Sequence, residues 1–284
     1  MARCGLRLNK VCSLEDWNDE EFQKALLEVG WTEFKESGVI HRKHWEHALG
    51  FIALRAMGKL HDDSRGLGIG CGKERIVFAL ANRVGMIIAT DLYGDPGPWS
   101  SDAPGDILTQ PEKYAPFKYR KDHLVFLRMD GRRLQFPSGQ FDFVFSFSAI
   151  EHFGGHKQSL RSFLEMERVV KPGGIVVLAT EFILNGVSHP DYFDAESLFS
   201  ELIDRTALSP VDDPILRASD ASIETAFTIE EYLRETKKGR DTYFKNPHVV
   251  LIERKSGAVF TSVLLTLKKS VESELQSGSR SHMG

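Results

Sequence analysis

Cysteine is scarce in this 284-residue chain, which has only Cys4, Cys12 and Cys71. An odd number without regular spacing excludes a disulfide framework and suits a reducing compartment. Long apolar runs are also missing. No stretch approaches the roughly 18 apolar residues that a membrane span needs. The first residues lack the apolar block of a secretory signal, so a cytoplasmic protein is expected. There is no basic surplus: 36 Lys and Arg stand against 40 Asp and Glu, a net charge of −4. A phosphate-binding surface is therefore excluded as the main theme. No internal repeat and no sustained heptad is present, which excludes solenoids and coiled coils. What remains is an ordinary globular composition, long enough to bury a large core without staples.

Residues 1–13 read as a loose tail. A helical pattern starts at Ser13, with Trp17, Phe22, Leu26 and Leu27 recurring behind a cluster of acids. A second helix is expected from Arg42 to Lys59. The period then changes. Gly66 to Ile69 is a short apolar strand that breaks into Gly70-Cys71-Gly72. A helix follows through Ile76, Leu80 and Val84, and Met86 to Thr90 is a buried strand ending at Asp91. Further strands are expected at His123–Met129, Phe141–Phe147 and Ile175–Thr180. A helix at Ser159–Val170 precedes a hard turn at Lys171-Pro172-Gly173-Gly174. Strands alternating with helices predict an α/β fold with a mostly parallel sheet covered on both faces. Val249–Glu253 and Val259–Leu267 flank a tight turn, which predicts one antiparallel strand at the end. Two segments fit neither role. Residues 92–122 form a proline-rich loop of lid-like length. Residues 185–247 form an elaboration containing a helix near Ala195–Arg205 capped by Asp194, and a capping box at Thr228–Glu231.

Ligands of open parallel sheets bind beyond the carboxyl ends of the strands. The glycines there fit neither G-x-G-x-x-G nor a P-loop; they read G-x-G-x-G as Gly68, Gly70 and Gly72. Asp91 ends the second strand, where a carboxylate can accept both hydroxyls of a ribose. Asp130-Gly131 ends the third, where a carboxylate can meet an adenine amino group and a glycine leaves room for the ring. Each has a plainer reading as a turn or cap.

Taken in order and spacing, Gly68-Ile69-Gly70-Cys71-Gly72, Asp91, Asp130, Phe141–Ser146 and Arg168–Gly174 resemble the class I S-adenosylmethionine-dependent methyltransferases. The resemblance covers about Arg65 to Lys268. It implies a Rossmann-like, doubly wound fold with a seven-stranded sheet and an antiparallel last strand. It also implies S-adenosyl-L-methionine as cofactor, held by Gly68, Gly70, Cys71, Gly72, Asp91, Leu92, Asp130, Gly131 and Ser148. The expected organisation is a helical cap over 1–60, a methyltransferase domain over 61–268 with a lid at 92–122 and the elaboration at 185–247, and a disordered tail over 269–284. Two departures stand out. Gly68 replaces an acid of the family, and Glu74 stands where a third glycine is common. Lys43 or Glu46, on the preceding helix, is the candidate to hold the amino-acid half of the cofactor instead.

Methylation of a hydroxyl needs a base to take its proton. His152, beside the cofactor in the fold this chain resembles, is the first candidate. Glu151 is its possible orienter, and Glu181 is the second candidate base. No metal motif is present, and His41, His44 and His47 read as a wet helix face sooner than as a zinc site. Trp99, Tyr192, Phe193 and Asn246-Pro247-His248 are candidates to line an acceptor site, with ordinary packing as the alternative. The sequence is also similar to bacterial methyltransferases linked to glycan biosynthesis, which implies O-methylation of a sugar or a similar small polar acceptor. The alternatives are a natural-product or N-methyltransferase, or a non-catalytic cofactor-binding protein. A nucleic-acid partner is not expected, and a homodimer is allowed.

Overall fold

The computed structural model describes residues 6–237 and 247–271. Cys4, Asn246 and the expected tail beyond 271 lie outside them. The central layer is a twisted sheet in the order β4-β3-β2-β5-β6-β10-β9. Its strands are β2 (Arg65–Ile69), β3 (Met86–Asp91), β4 (Leu124–Arg128), β5 (Phe141–Phe147), β6 (Val170–Ile183), β9 (Leu251–Glu253) and β10 (Ala258–Lys269). The first five pair in parallel, and β10 runs antiparallel to both β6 and β9. These seven lie where the sequence predicts strands. Three short strands extend the sheet to ten: β8 (Phe227–Thr228) beside β9, and β1 (Lys10–Val11) and β7 (Leu208–Pro210), each on β10.

Side-chain alternation divides the core. Phe143, Phe145 and Phe147 face one layer with α1 (Glu20–Glu28), α3 (Arg42–Ala56) and α4 (Arg75–Ala81). Val144, Val176 and Leu178 face the other with α5 (His156–Val169), through Phe163, Met166 and Val169. A helix on each face satisfies strands that are apolar on both sides. The first helical pattern is split in two. A 3-10 turn, Leu14–Asn18, leads into α1, whose N-cap Asp19 accepts a hydrogen bond from the Phe22 amide. A further short helix, α2 (Glu33–Ser37), was not expected.

Two expectations are corrected. Residues 1–13 are not all loose: β1 pairs Lys10 and Val11 with Leu264 and Val263. Lys171–Gly174 does not end the element before β6. It is an irregular bulge inside that 14-residue strand, between the pairs Phe141–Val170 and Phe143–Ile175. The capping box is present, with Thr228 and Glu231 bonding each other's backbone amides ahead of α6 (Ile229–Lys237). The Asp194 cap also holds, over a helical stretch that passes from α to π to 3-10 geometry.

Candidate active site

The carboxyl ends of β2 to β5 open into one cleft of about 1260 Å³. Gly70, Cys71, Gly72, Asp91, Leu92, Asp130, Gly131 and Ser148 all line it. Gly68 does not. It lies deeper in β2, where a Cβ would come 2.2 Å from the Cys71 sulfur and 2.6 Å from the Phe145 ring. Tight packing therefore excludes any side chain at Gly68, including the acid of the family pattern.

The glycine turn is held by Asp91. Its Oδ2 accepts from the Gly72 amide at 2.8 Å and its Oδ1 from the Leu92 amide at 2.7 Å. Burial raises its pKa despite these bonds. Gly70 and Gly72 have φ of +66° and +46°, a region that glycine enters without steric cost. Across the cleft, Asp130 already holds the Arg132 guanidinium through Nε and Nη2, and this pairing lowers its pKa. An adenine amino group would share that carboxylate with Arg132. A Cβ on Gly131 would meet Ile69 at 2.5 Å, so the floor under a planar ring is glycine by necessity.

Lys43, near the N-terminus of α3, reaches the same turn. Its Nζ donates to the Phe147 carbonyl at 2.9 Å and lies 3.2 Å from Glu74 Oε1 and 3.3 Å from Glu46 Oε2. Burial works against this charge, but Glu46 and Glu74 outweigh it and hold the ammonium well above the usual lysine range. Lys43 and Glu74 line the cleft, whereas Glu46 is fully buried behind them. The residue that replaces the family's third glycine thus forms an ion pair with the helix above it.

His152 sits on a 3-10 turn, Ile150–Phe153, and its ring enters the cleft 4.3 Å from the Trp99 ring. It makes no ring hydrogen bond among the described residues. Desolvation by the cleft walls lowers its pKa, against the opposing pull of Glu181. Glu181 lines the cleft too, but Arg42 grips both its oxygens at 2.7 Å. Glu151 does not line the cleft that His152 enters. It is fully buried, accepts from Thr180 Oγ1 at 3.1 Å and leaves Oε1 without a partner. Burial, the largest influence, raises both carboxyls to about 7.

The histidine expectation is corrected. His44 and His47 are 8% and 1% exposed, so they do not form a wet face. Trp31 stacks on His44 at 3.8 Å and donates to His47 Nδ1 at 3.3 Å. His41 stacks on His248 at 4.0 Å. No group of three metal-ligating side chains with metal-site geometry occurs among the described residues. Tyr192 and Trp99 line the cleft, as does His248, but Phe193 is buried against His156. Sequence reasoning did not find Arg42, Tyr232 or Phe260 as parts of the cleft. The one available signal was the polar run His41-Arg42-Lys43-His44 at the mouth of an otherwise apolar helix.

Residues 67–178, from β2 into β6, match a family described as "Methyltransferase domain". Three solved structures share the fold. A provisionally assigned sarcosine dimethylglycine methyltransferase from Galdieria sulphuraria is 15% identical, with 81% of this chain and 85% of that one covered and a TM-score of 0.52. A provisionally assigned methyltransferase from Bacillus halodurans C-125 is also 15% identical, covering 77% and 98%, with a TM-score of 0.51. The cyclase SpnF has the same identity, covering 79% and 82%, with a TM-score of 0.51. No curated protein sequence matches significantly. The residues that line the cleft would fit S-adenosylmethionine in their donor set. Glycines stand where a Cβ would meet neighbouring atoms, Asp91 and Asp130 offer acceptors near the strand ends, and the Lys43–Glu74 pair brings one charge of each sign to the same cleft. A methyltransferase domain therefore forms the centre of this chain, on a Rossmann-like methyltransferase fold, and S-adenosylmethionine-dependent methyl transfer is the activity that this domain supports.

Proposed function

We propose that the enzyme methylates a hydroxyl of a sugar or another small polar acceptor, with His152 as general base. The observation that carries this reading is the His152 ring in the cleft, without a hydrogen bond to the described residues and with its pKa held below the ordinary value. Such an imidazole is neutral at pH 7 and has a nitrogen lone pair ready for a proton. The bound cofactor supplies an activated methyl group for in-line transfer. Asp91 would hold the ribose hydroxyls, Asp130 and Gly131 the adenine, and the Gly70–Gly72 turn the backbone approach. Lys43 would pair with the carboxylate of the amino-acid end and Glu74 with its ammonium. As the acceptor oxygen attacks, His152 would take its proton. Glu181 suits this role less, because Arg42 occupies both its oxygens.

The acceptor side supports an uncharged molecule. Glu181 engages both terminal nitrogens of Arg42, and burial disfavours a charge on His248 and His41. Tyr192, Phe260 and Trp99 offer aromatic faces to the C–H face of a sugar. In this reading residues 92–122 act as a lid and residues 185–237 as the acceptor wall. With a net charge of −4, the chain suits a small-molecule or saccharide acceptor better than nucleic acid. The test is methyl transfer from labelled S-adenosylmethionine across a panel of sugars, polyols and amines. His152→Ala should lower turnover on the best hydroxyl acceptor by about 10²–10⁴, with cofactor affinity changed by less than about threefold. Transfer to amines alone, or turnover unaffected by His152→Ala, would overturn the proposal.

A further inference from the structure

Ser148 is the only non-glycine residue with positive φ among the described residues, at +44°. It lies immediately after β5, its amide still donating to the Ala179 carbonyl at 2.9 Å. Bulky and β-carbon-bearing residues are disfavoured there unless the surroundings fix them. What fixes this one comes from the N-terminal part of the chain. The Ser148 hydroxyl donates to Glu46 Oε1 at 2.7 Å, and the same oxygen accepts from Ser262 Oγ at 2.6 Å. The turn this conformation makes has two consequences. The next residue, Ala149, lies against Gly70, where a Cβ on that glycine would come 2.4 Å from the Ala149 Cβ. Four residues after Ser148 stands His152, facing the cleft.

We infer that the Glu46–Ser148 hydrogen bond is a positioning device: the buried carboxylate of α3 locks Ser148 in the left-handed conformation and so sets both the glycine turn and His152. Glu46 does not line the cleft; one of its oxygens acts through Ser148 and the other pairs with Lys43. The helix that precedes the sheet is thus a working part of the cofactor site and not only a cover. The inference rests on the cofactor assignment, and its test separates the two.

The experiment measures the affinity of the full chain for S-adenosylhomocysteine by calorimetry, for the wild type, Ser148→Ala, Ser148→Gly and Ser262→Ala. Each variant is first checked for the wild-type circular dichroism spectrum. Alanine keeps the β-carbon but loses the tie, so its backbone relaxes out of the left-handed region. Its Kd should rise by about tenfold, the order of the steric cost of that region. Glycine also loses the tie but enters the region freely, so it should bind at least about fivefold more tightly than alanine. Ser262→Ala removes the other hydroxyl from the same Glu46 oxygen without touching the turn, and should leave the Kd unchanged. Equal affinities for the alanine and glycine variants would overturn the inference, because the hydroxyl would then matter for itself or not at all. A loss in Ser262→Ala as large as that in Ser148→Ala would also overturn it. Failure of the wild type to bind S-adenosylhomocysteine would overturn the cofactor assignment instead.

Discussion

A methyl group on Gly72 would sit 2.5 Å from the Asp102 carbonyl oxygen, at a φ that alanine rarely adopts. Neither neighbour can yield cheaply: one is backbone of the loop above, and the other is the turn that Asp91 holds. Gly72→Ala is therefore expected to weaken S-adenosylhomocysteine binding by at least about tenfold, measured by calorimetry. Gly58 supplies the control. It too has positive φ, +66°, but nothing lies within 4 Å of its Cβ position. Gly58→Ala should lower stability by about 1 kcal/mol and leave binding unchanged. If both variants bound alike, close approach at the glycine turn would not be what Gly72 provides. At this scale these residues of the cleft were readable because each has a local reason to stand near a strand end: glycines at the turn, a carboxylate ending β3 and another just after β4. Lys43 and Arg42 were harder to read. They sit on a helix whose apolar period announces sheet packing, and their chemistry depends on Glu74 and Glu181, far away in the chain.

Among the elements, β1 was not legible at all. Two paired residues carry no periodicity, and their reason for pairing lies some 250 residues on, in β10. Asn9 fixes them. Fully buried, it donates through Nδ2 to the carbonyl and carboxylate of Asp212, and its Oδ1 accepts from the Thr266 amide at 2.8 Å. Asn9→Ala leaves that buried amide without its partner. It should cost about 1–3 kcal/mol, seen as a lower thermal midpoint. A loss below about 0.5 kcal/mol would mean that β1 frays without consequence. The parallel strands β2 to β5 were legible for the opposite reason. Each is a run of apolar residues bounded by a turn signal, and nothing distant is needed to define it. The bulge in β6 fell between these cases. Lys171-Pro172-Gly173-Gly174 reads as a turn locally, and Gly173 does take φ +73°, but the strand resumes its pairing with β5 beyond it.

For the molecule as a whole, the buried titrating groups around the cleft predict the response to acid. Burial, ahead of neighbouring charges, lowers His44 and His248 from 6.5 to about 3 and holds His41 well below its ordinary value. Burial also raises Glu151 and Glu181 from 4.5 to about 7. The two sets act on stability with opposite sign. A histidine with a depressed folded pKa binds its proton more readily when unfolded. Its contribution is present above about 6.5 and is lost as pH falls toward the folded value. A carboxyl with a raised folded pKa holds its proton better when folded. Its contribution is complete below about 4.5 and is lost as pH rises through about 7. Between these limits the carboxyls offset part of the loss that the histidines bring. Below about 4.5 the unfolded carboxyls are protonated as well, and the compensation ends. Carboxylates held low elsewhere, Glu46 and Asp130 among them, add to the loss there. The thermal midpoint should therefore fall gently from pH 6.5 to 4.5 and then sharply. Glu181→Gln removes one compensating group, so the gentle limb should steepen; the slope is read, since losing the Arg42 partner shifts the midpoint at every pH. A single uniform slope in the wild type, or a limb unchanged in Glu181→Gln, would show that these carboxyls do not carry protons into the folded state near neutrality.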